Sequence, residues 1–333
     1  MKRVFLLGLT VIAATSVVAG CGGSSDETGG GQTSADGSGG NVSLVAYSTP
    51  QVVYDQVIPA FNATPEGKGV SVATSFGASG DQSRAVAAGL DADVVSFSVQ
   101  PDITRLVKAG LVADDWNTGP NKGLVNTSVV SFVVREGNPK NIRTWADLLK
   151  PGVEVITPNP FTSGAAKWNM LGAYAYGGKD YVEKLIHDHV KVQPKSGREA
   201  LQTFTSGKGD VLLSYEYEAI TARKKGEKVD YVIPDKTIRI DIDIATTKKA
   251  GEPARKFLDF VLGDTAQQYF ADWGYRPINP AVLKANQKSF PEPKELKTID
   301  DFGGWEKVDP ELFDAKDGII AKIEEDAGVS TAK

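Results

Sequence analysis

The chain has 333 residues, with 37 basic and 42 acidic side chains, one cysteine and two histidines. Its acidic balance and lack of any basic run argue against a nucleic-acid partner, and a single cysteine excludes both a disulfide framework and a cysteine-based metal site. The length exceeds what one core usually fills, so two lobes are expected.

Met1-Lys-Arg3 opens a positive segment, and an apolar run follows from Val4 to Ala19. The run is short for a membrane span and closes on small residues, as a secretory signal does. Val18-Ala-Gly-Cys21 is similar to the lipobox of bacterial lipoproteins. That makes 1–20 a cleaved leader and Cys21 the lipidated first residue, which would hold the protein on the outer face of the cell membrane. Residues 21–40 are mostly Gly, Ser, Thr and Asp and bury too little to offset their ordering entropy, so they read as a flexible tether. Removing Lys2 and Arg3 from the 37 basic residues leaves 35 against 42 acidic ones, a net charge of −7.

The folded part starts near Asn41. Val42 to Tyr47 alternates as a strand and turns at Ser48-Thr-Pro50, after which Val53, Tyr54, Val57 and Phe61 repeat at helical spacing. Val70 to Ser75 and Asp93 to Phe97 are further strands, each feeding a helix, at Asp81–Leu90 and Pro101–Ala109. Such alternation predicts a mainly parallel sheet with helices on both faces and ligands at the carboxyl ends of strands. Val129 to Val134 is a strand, Trp145 to Leu149 a short helix, and Val153 to Ile156 a strand ending at two prolines. Helices are predicted over Ala165–Tyr176, Tyr181–His187, Gly197–Phe204 and Glu216–Lys225, and strands over Lys191–Gln193, Asp210–Ser214 and Val229–Ile233. Ile238 to Ala245 alternates strictly, and helices Pro253–Leu262 and Thr265–Trp273 follow. Two crossings, near 129–134 and 235–245, would join discontinuous lobes as a two-strand hinge: 41–128 plus 241–333, and 129–240.

Three predicted helices open on Ser-Gly after a strand: Ser79-Gly80, Ser163-Gly164 and Ser196-Gly197. A helix start presents free N–H groups and the positive end of a dipole, which attract an anion. Singly, each is an ordinary cap. Three in matching contexts, converging on one cleft, make a pocket that holds an oxyanion with dipoles and hydroxyls instead of a counter-charge.

At these residues the chain resembles the sulfate-binding proteins of bacterial ABC importers, in the sulfate and thiosulfate branch. The likeness rests on Gly77-Ala-Ser-Gly80, Val133 to Lys140, Trp145 to Gly152, Val155 to Pro160 with Ser163-Gly164 and Trp168-Asn169, Gly209 to Ala219, Tyr275-Arg-Pro277 and Thr298 to Trp305. It implies an α/β, two-lobed periplasmic-binding-protein fold of type II. It also implies a ligand set of Ser48, Ser79, Ser163, Gly164, Ala165 and Gly197. Tyr215 stands where the family has tryptophan, Ser48 where it has Asp, and Ala165 where it has glycine. Arg84 and Arg198, near two of the helix starts, either support those turns or pair with nearby acids such as Asp81.

An enzyme is not expected: Ser163 and Lys167 are one residue too far apart for S-x-x-K, Gly77 to Gly80 is not G-x-S-x-G, and Gly207-Lys208 lacks the rest of a P-loop. His187 and His189 read as a solvated helix end rather than a metal site, and Trp168, Tyr174, Tyr176 and Trp273 as core. The expected protein is a monomeric lipoprotein that captures sulfate outside the cell and hands it to an ABC permease, with no cofactor. Thiosulfate, molybdate and phosphate are the alternative ligands. Sulfate carries no proton near neutrality, so a donor-only pocket suits it, whereas phosphate needs an acceptor. Asp81 is the one acid in a proposed anion-facing turn. It is expected to pair with Arg84, which leaves sulfate affinity flat between about pH 6 and pH 8.

Overall fold

The structure, a computed structural model, describes residues 39–331. The leader, Cys21 and most of the tether lie outside the described residues. The tether's last residue is fastened, because Ser71 N–H donates to Gly40 O at 3.1 Å.

From the amino end, β1 (Asn41–Tyr47), α1 (Gln51–Asn62), β2 (Ser71–Gly77), α2 (Ser79–Ala87), β3 (Val94–Phe97) and α3 (Gln100–Lys108) form one alternating unit. β4 (Leu124–Arg135) then leads to β5 (Val155–Ile156), α4 (Gly164–Lys184), β6 (Val190–Val192), α5 (Gly197–Thr205), β7 (Val211–Tyr215), α6 (Glu216–Lys224) and β8 (Val229–Val232). β9 (Lys236–Thr246), α7 (Glu252–Leu262) and α8 (Asp264–Asp272) return the chain, and β10 (Arg276–Pro277), α9 (Pro280–Ala285), β11 (Glu295–Lys297), α10 (Trp305–Phe313) and α11 (Ile319–Asp326) complete it. The five elements after Trp273 carry no assignment in the sequence reading.

The strands run in the order β2-β1-β3-β9-β4-β7-β5-β6, with β8 and β10 on β4 and β11 on β9. The expected mainly parallel sheet is a correction. β1 pairs β2 and β3 in parallel, and β5 pairs β6 and β7 likewise, but β9 and β4 run antiparallel to their neighbours in the middle. These two long strands sit side by side in the middle of the order and join the two parallel sets. β4 pairs β9 over its first half, from Leu124 to Val129, and β7 over its second, from Val130 to Val134. The fold is thus α/β and two-lobed, with β4 and β9 common to both halves.

Strand chemistry explains this placement. Along β9, Ile238, Ile240, Ile242 and Ile244 are buried on one face, while Arg239 on the other face donates from Nε and Nη2 to the two carboxylate oxygens of Asp241, at 2.7 and 2.8 Å. α1 buries Val53, Tyr54, Val57 and Phe61 against α7 and α8, with Phe61 edge-on to Phe257 at 5.3 Å and Tyr54 edge-on to Phe270 at 5.8 Å. The two helices predicted over 165–176 and 181–187 are both present and follow one another along α4 across a kink. α4 leaves helical geometry only at Gly178 (φ 68°), a left-handed conformation that glycine adopts without a Cβ clash, and its end passes into a wider turn at Leu185–His189.

The tail lies against α4. Lys167 is ion-paired with Asp309, Trp168 meets Trp305 edge-on at 4.8 Å, and Gln193 Nε2 donates to the buried Glu324 at 2.8 Å.

Candidate anion-binding site

The three helix starts meet at the carboxyl ends of the strands. Gly80 N–H, in the first turn of α2, donates to Thr162 O just before α4, at 3.0 Å. A Cβ on Gly164 would lie 2.6 Å from Ser98 Cβ and 3.4 Å from Ser79 Cβ, so glycine alone fits where α4 faces the turn after β3. Trp168, one turn into α4, donates its indole N–H to Ser98 O at 2.6 Å. On the other side, Arg198 N–H reaches Ser48 Oγ at 3.5 Å, its guanidinium bonds Ser48 O, and a Cβ on Gly197 would sit 3.3 Å from Thr49 Cγ2. Tyr217 closes the circuit, its hydroxyl 3.0 Å from Thr49 Oγ1 and its ring 5.0 Å from that of Tyr215. Tyr215 ends β7 with its hydroxyl beside Ser98. Ser79 and Gly164 thus adjoin one another at Ser98, Ser48 and Gly197 adjoin one another through Arg198 and Thr49, and Tyr215 lies between the two groups; these residues, with Ser163 and Ala165, are all buried.

Their donors differ in availability. Ser163 stands at the N-cap of α4 yet makes no capping bond. Ser196, at the same position of α5, does cap, accepting from Glu199 N–H at 3.2 Å. Ser79 departs from expectation. It is the first residue inside α2, and its hydroxyl donates to Asp102 Oδ2 at 2.7 Å while accepting from Ser98 N–H at 3.0 Å. That hydroxyl is already committed, so what Ser79 offers a ligand is its first-turn backbone N–H. Tyr215 is fully buried and its hydroxyl has no hydrogen-bond partner. Such a group costs free energy until something accepts from it.

The charges around the site were only partly legible. Asp81 is ion-paired with Arg84 and partly exposed, and Arg84 also approaches Phe161 O at 3.5 Å. Asp81 thus pairs as expected, and two further acids lie near the helix starts. Asp102 is 3 % exposed, held by Ser79 and by Arg105 at 2.8 Å. Glu218 is equally buried, with Oε2 accepting from the Ser214 hydroxyl and lying 3.2 Å from where a Gly197 Cβ would be. Burial pushes the Glu218 carboxyl up to about 7, against the opposing pull of the Ser214 hydroxyl and Arg198. Sequence reading missed Ser98, Asp102, Trp168 as a bridge, and Glu218. Ser98 and Asp102 do carry a signal, since they follow the third strand and open the third helix.

Two spaces flank these residues. One, of about 10 Å³, lies between Gly80, Asp102, Ser163 and Gly164, with Arg84, Arg105 and Lys167 around it. The other, of about 400 Å³, opens beside Arg198, Tyr217 and Glu218 and reaches Asp55, Lys225 and Glu227. His189 Nδ1 lies 3.0 Å from Val153 O, and among the described residues no group of three His, Cys, Asp or Glu side chains could hold a metal.

A family model described as bacterial extracellular solute-binding protein matches residues 42–276. The chain is 41 % identical to the sulfate-binding protein of Synechococcus elongatus, covering 94 % of each chain, and 34 % identical to a thiosulfate-binding protein of Pseudomonas aeruginosa, covering 81 % of this chain and 88 % of the other. Among solved structures, the sulfate-binding protein SubI from Mycobacterium tuberculosis H37Rv superposes with a TM-score of 0.80 at 50 % identity, covering 82 % of this chain and 99 % of that one. The convergent helix starts, the two-lobed α/β fold and these relatives lead to one conclusion: the chain belongs to the bacterial extracellular solute-binding proteins, on the branch of the sulfate-binding proteins.

Proposed function

We propose that this protein binds sulfate, without catalysis or cofactor, between the starts of α2, α4 and α5 and delivers it to an ABC permease. One observation carries the assignment. The uncapped Ser163 hydroxyl and the unpartnered Tyr215 hydroxyl are buried where three helix starts meet. Backbone N–H groups at Ser79, Gly164, Ala165 and Gly197 supply further donors, and these residues are buried, where dipoles act more strongly than in water. Arg84 and Arg198 stand behind the turns rather than on the anion, since each is engaged with Asp81 or Ser48.

Residues 41–128 with 241–333 form one lobe and 129–240 the other, with β4 and β9 as the hinge about which they close on the anion. Residues 1–20 serve as leader, Cys21 as lipidation site and 21–40 as tether, which places a monomeric domain on the outer face of the cell membrane. Calorimetric titration with sulfate, thiosulfate, molybdate and phosphate tests the assignment. Sulfate is expected to bind tightest at one site per chain, and a tighter fit for phosphate would overturn it.

A further inference from the structure

We propose that Trp305, in the C-terminal tail, is a positioning residue for anion capture: it sets the Trp168 indole, whose N–H bonds across the cleft to Ser98 O and slows release of the anion. The inference rests on the two-lobed sulfate reading above and deepens it by giving the tail a part in holding the lobes shut.

The tail continues from the first lobe but is fastened to the second. β11 runs parallel to β9 at Lys236–Ile238. Asp309 is ion-paired with Lys167, Gln193 Nε2 donates to Glu324, and Asn159 Nδ2 donates to Ser330 O at 3.1 Å. α10 packs at the same time on α3, so it spans the seam where α3 and α4 come together. Trp305 opens α10 at this seam and is 4 % exposed. It follows Gly303 and Gly304, at φ 88° and 81°, a left-handed turn that glycine adopts without strain.

Trp168 is fully buried, with two contacts on its ring. Trp305 meets it edge-on at 4.8 Å and 79°, and its N–H reaches Ser98 O at 2.6 Å. An indole has one donor pointing one way, so the bond lasts only while the ring keeps its rotamer. Ser98 is in turn tied to an anion-facing turn, its N–H donating to Ser79 Oγ at 3.0 Å. A path of direct contacts therefore runs from Trp305 through Trp168 and Ser98 to the first turn of α2.

Ser98 lies on one lobe and Trp168 on the other, so their bond exists only when the lobes are together. The anion enters and leaves when they are apart. A bond made only in the closed state slows opening and leaves entry unchanged, so its effect falls on the dissociation rate. One neutral hydrogen bond corresponds to about a 2- to 12-fold change in that rate.

Exchange of radiolabelled sulfate on the intact mature domain against excess unlabelled sulfate reads release. Stopped-flow binding reads entry, and a melting curve on each variant reports the fold. Trp168→Phe removes the N–H and keeps an aromatic ring; it should release sulfate about 2- to 12-fold faster with an unchanged association rate. Trp305→Leu keeps the position apolar without the ring and should do the same, while Trp305→Phe keeps a ring edge against the indole and should restore most of the wild-type lifetime. Should Trp305→Leu not fold, Trp305→Met, which fills more of the space, takes its place. With Trp168→Phe and Trp305→Leu combined, release should be no faster than in Trp168→Phe alone, because both changes remove one bond. A merely structural Trp305 would instead speed release by the same factor in either background. That additive result overturns the proposal and leaves the sulfate assignment standing, as does wild-type release in either single variant. A wild-type protein that binds no sulfate overturns both.

Discussion

Removing the Tyr215 hydroxyl as Tyr215→Phe should act in opposite directions on stability and on binding. The side chain is fully buried and the hydroxyl, beside Ser98, makes no hydrogen bond of normal geometry. Without ligand, that hydroxyl has given up its water and gained no partner, a cost of roughly 1–3 kcal/mol. Phenylalanine occupies the same space without that cost, so the ligand-free variant should melt higher. With sulfate bound, the wild-type hydroxyl donates to a charged oxygen, a bond of about 1.5–3 kcal/mol that phenylalanine cannot make. Affinity should therefore fall about 10- to 150-fold, since about 1.4 kcal/mol is a factor of ten. Differential scanning calorimetry with and without sulfate, paired with titration, reads both quantities on one sample. A variant that binds sulfate as tightly as the wild type would show that the hydroxyl faces away from the anion, and Tyr215 would leave the site.

Ser163→Ala should weaken sulfate binding by about 1.5–3 kcal/mol with little effect on melting, because the hydroxyl caps nothing. Ser196→Ala should do the reverse, losing a cap worth about 1 kcal/mol of stability. Gly164→Ala forces a Cβ to 2.6 Å from Ser98 Cβ, so the two halves should be held apart; small-angle scattering in saturating sulfate should give a larger radius than wild type, and an unchanged radius would refute closure at this contact. Glu324 is buried on Gln193 and pushed up to about 7 by burial. Its folded value exceeds its unfolded one, so it costs stability progressively from about pH 4.5 to pH 7. Glu324→Gln should stabilise the protein at pH 8 and not at pH 4, as read by chemical denaturation at the two pH values.

Much of the scaffold was legible because its signals are local. The alternation of Ile238, Ile240, Ile242 and Ile244 and the spacing of Val53, Tyr54, Val57 and Phe61 each show which face is buried. Ser163 and Ser196 both open a helix on Ser-Gly, and the local sign that only Ser196 is a spent cap is Glu199 three residues on, where α4 has Ala166. Ser79 reads as a cap too, and its hydroxyl is committed because α3 brings Asp102, 23 residues later, within 2.7 Å. Long-range burial of that kind leaves no periodic trace. The same holds for Glu218, which reads as an ordinary helix-start acid until α5 is seen against it, and for the tail, whose Trp305, Asp309 and Glu324 find partners on α4 and near β6.

Where the anion sits is the central claim, and a crystal structure with selenate, whose selenium scatters anomalously and whose shape matches sulfate, tests it most directly. The predicted result is one strong peak among the backbone of Gly164, Ala165 and Gly197 and the hydroxyls of Ser163 and Tyr215. A peak instead in the larger space beside Asp55 and Lys225, with none among those donors, would contradict it.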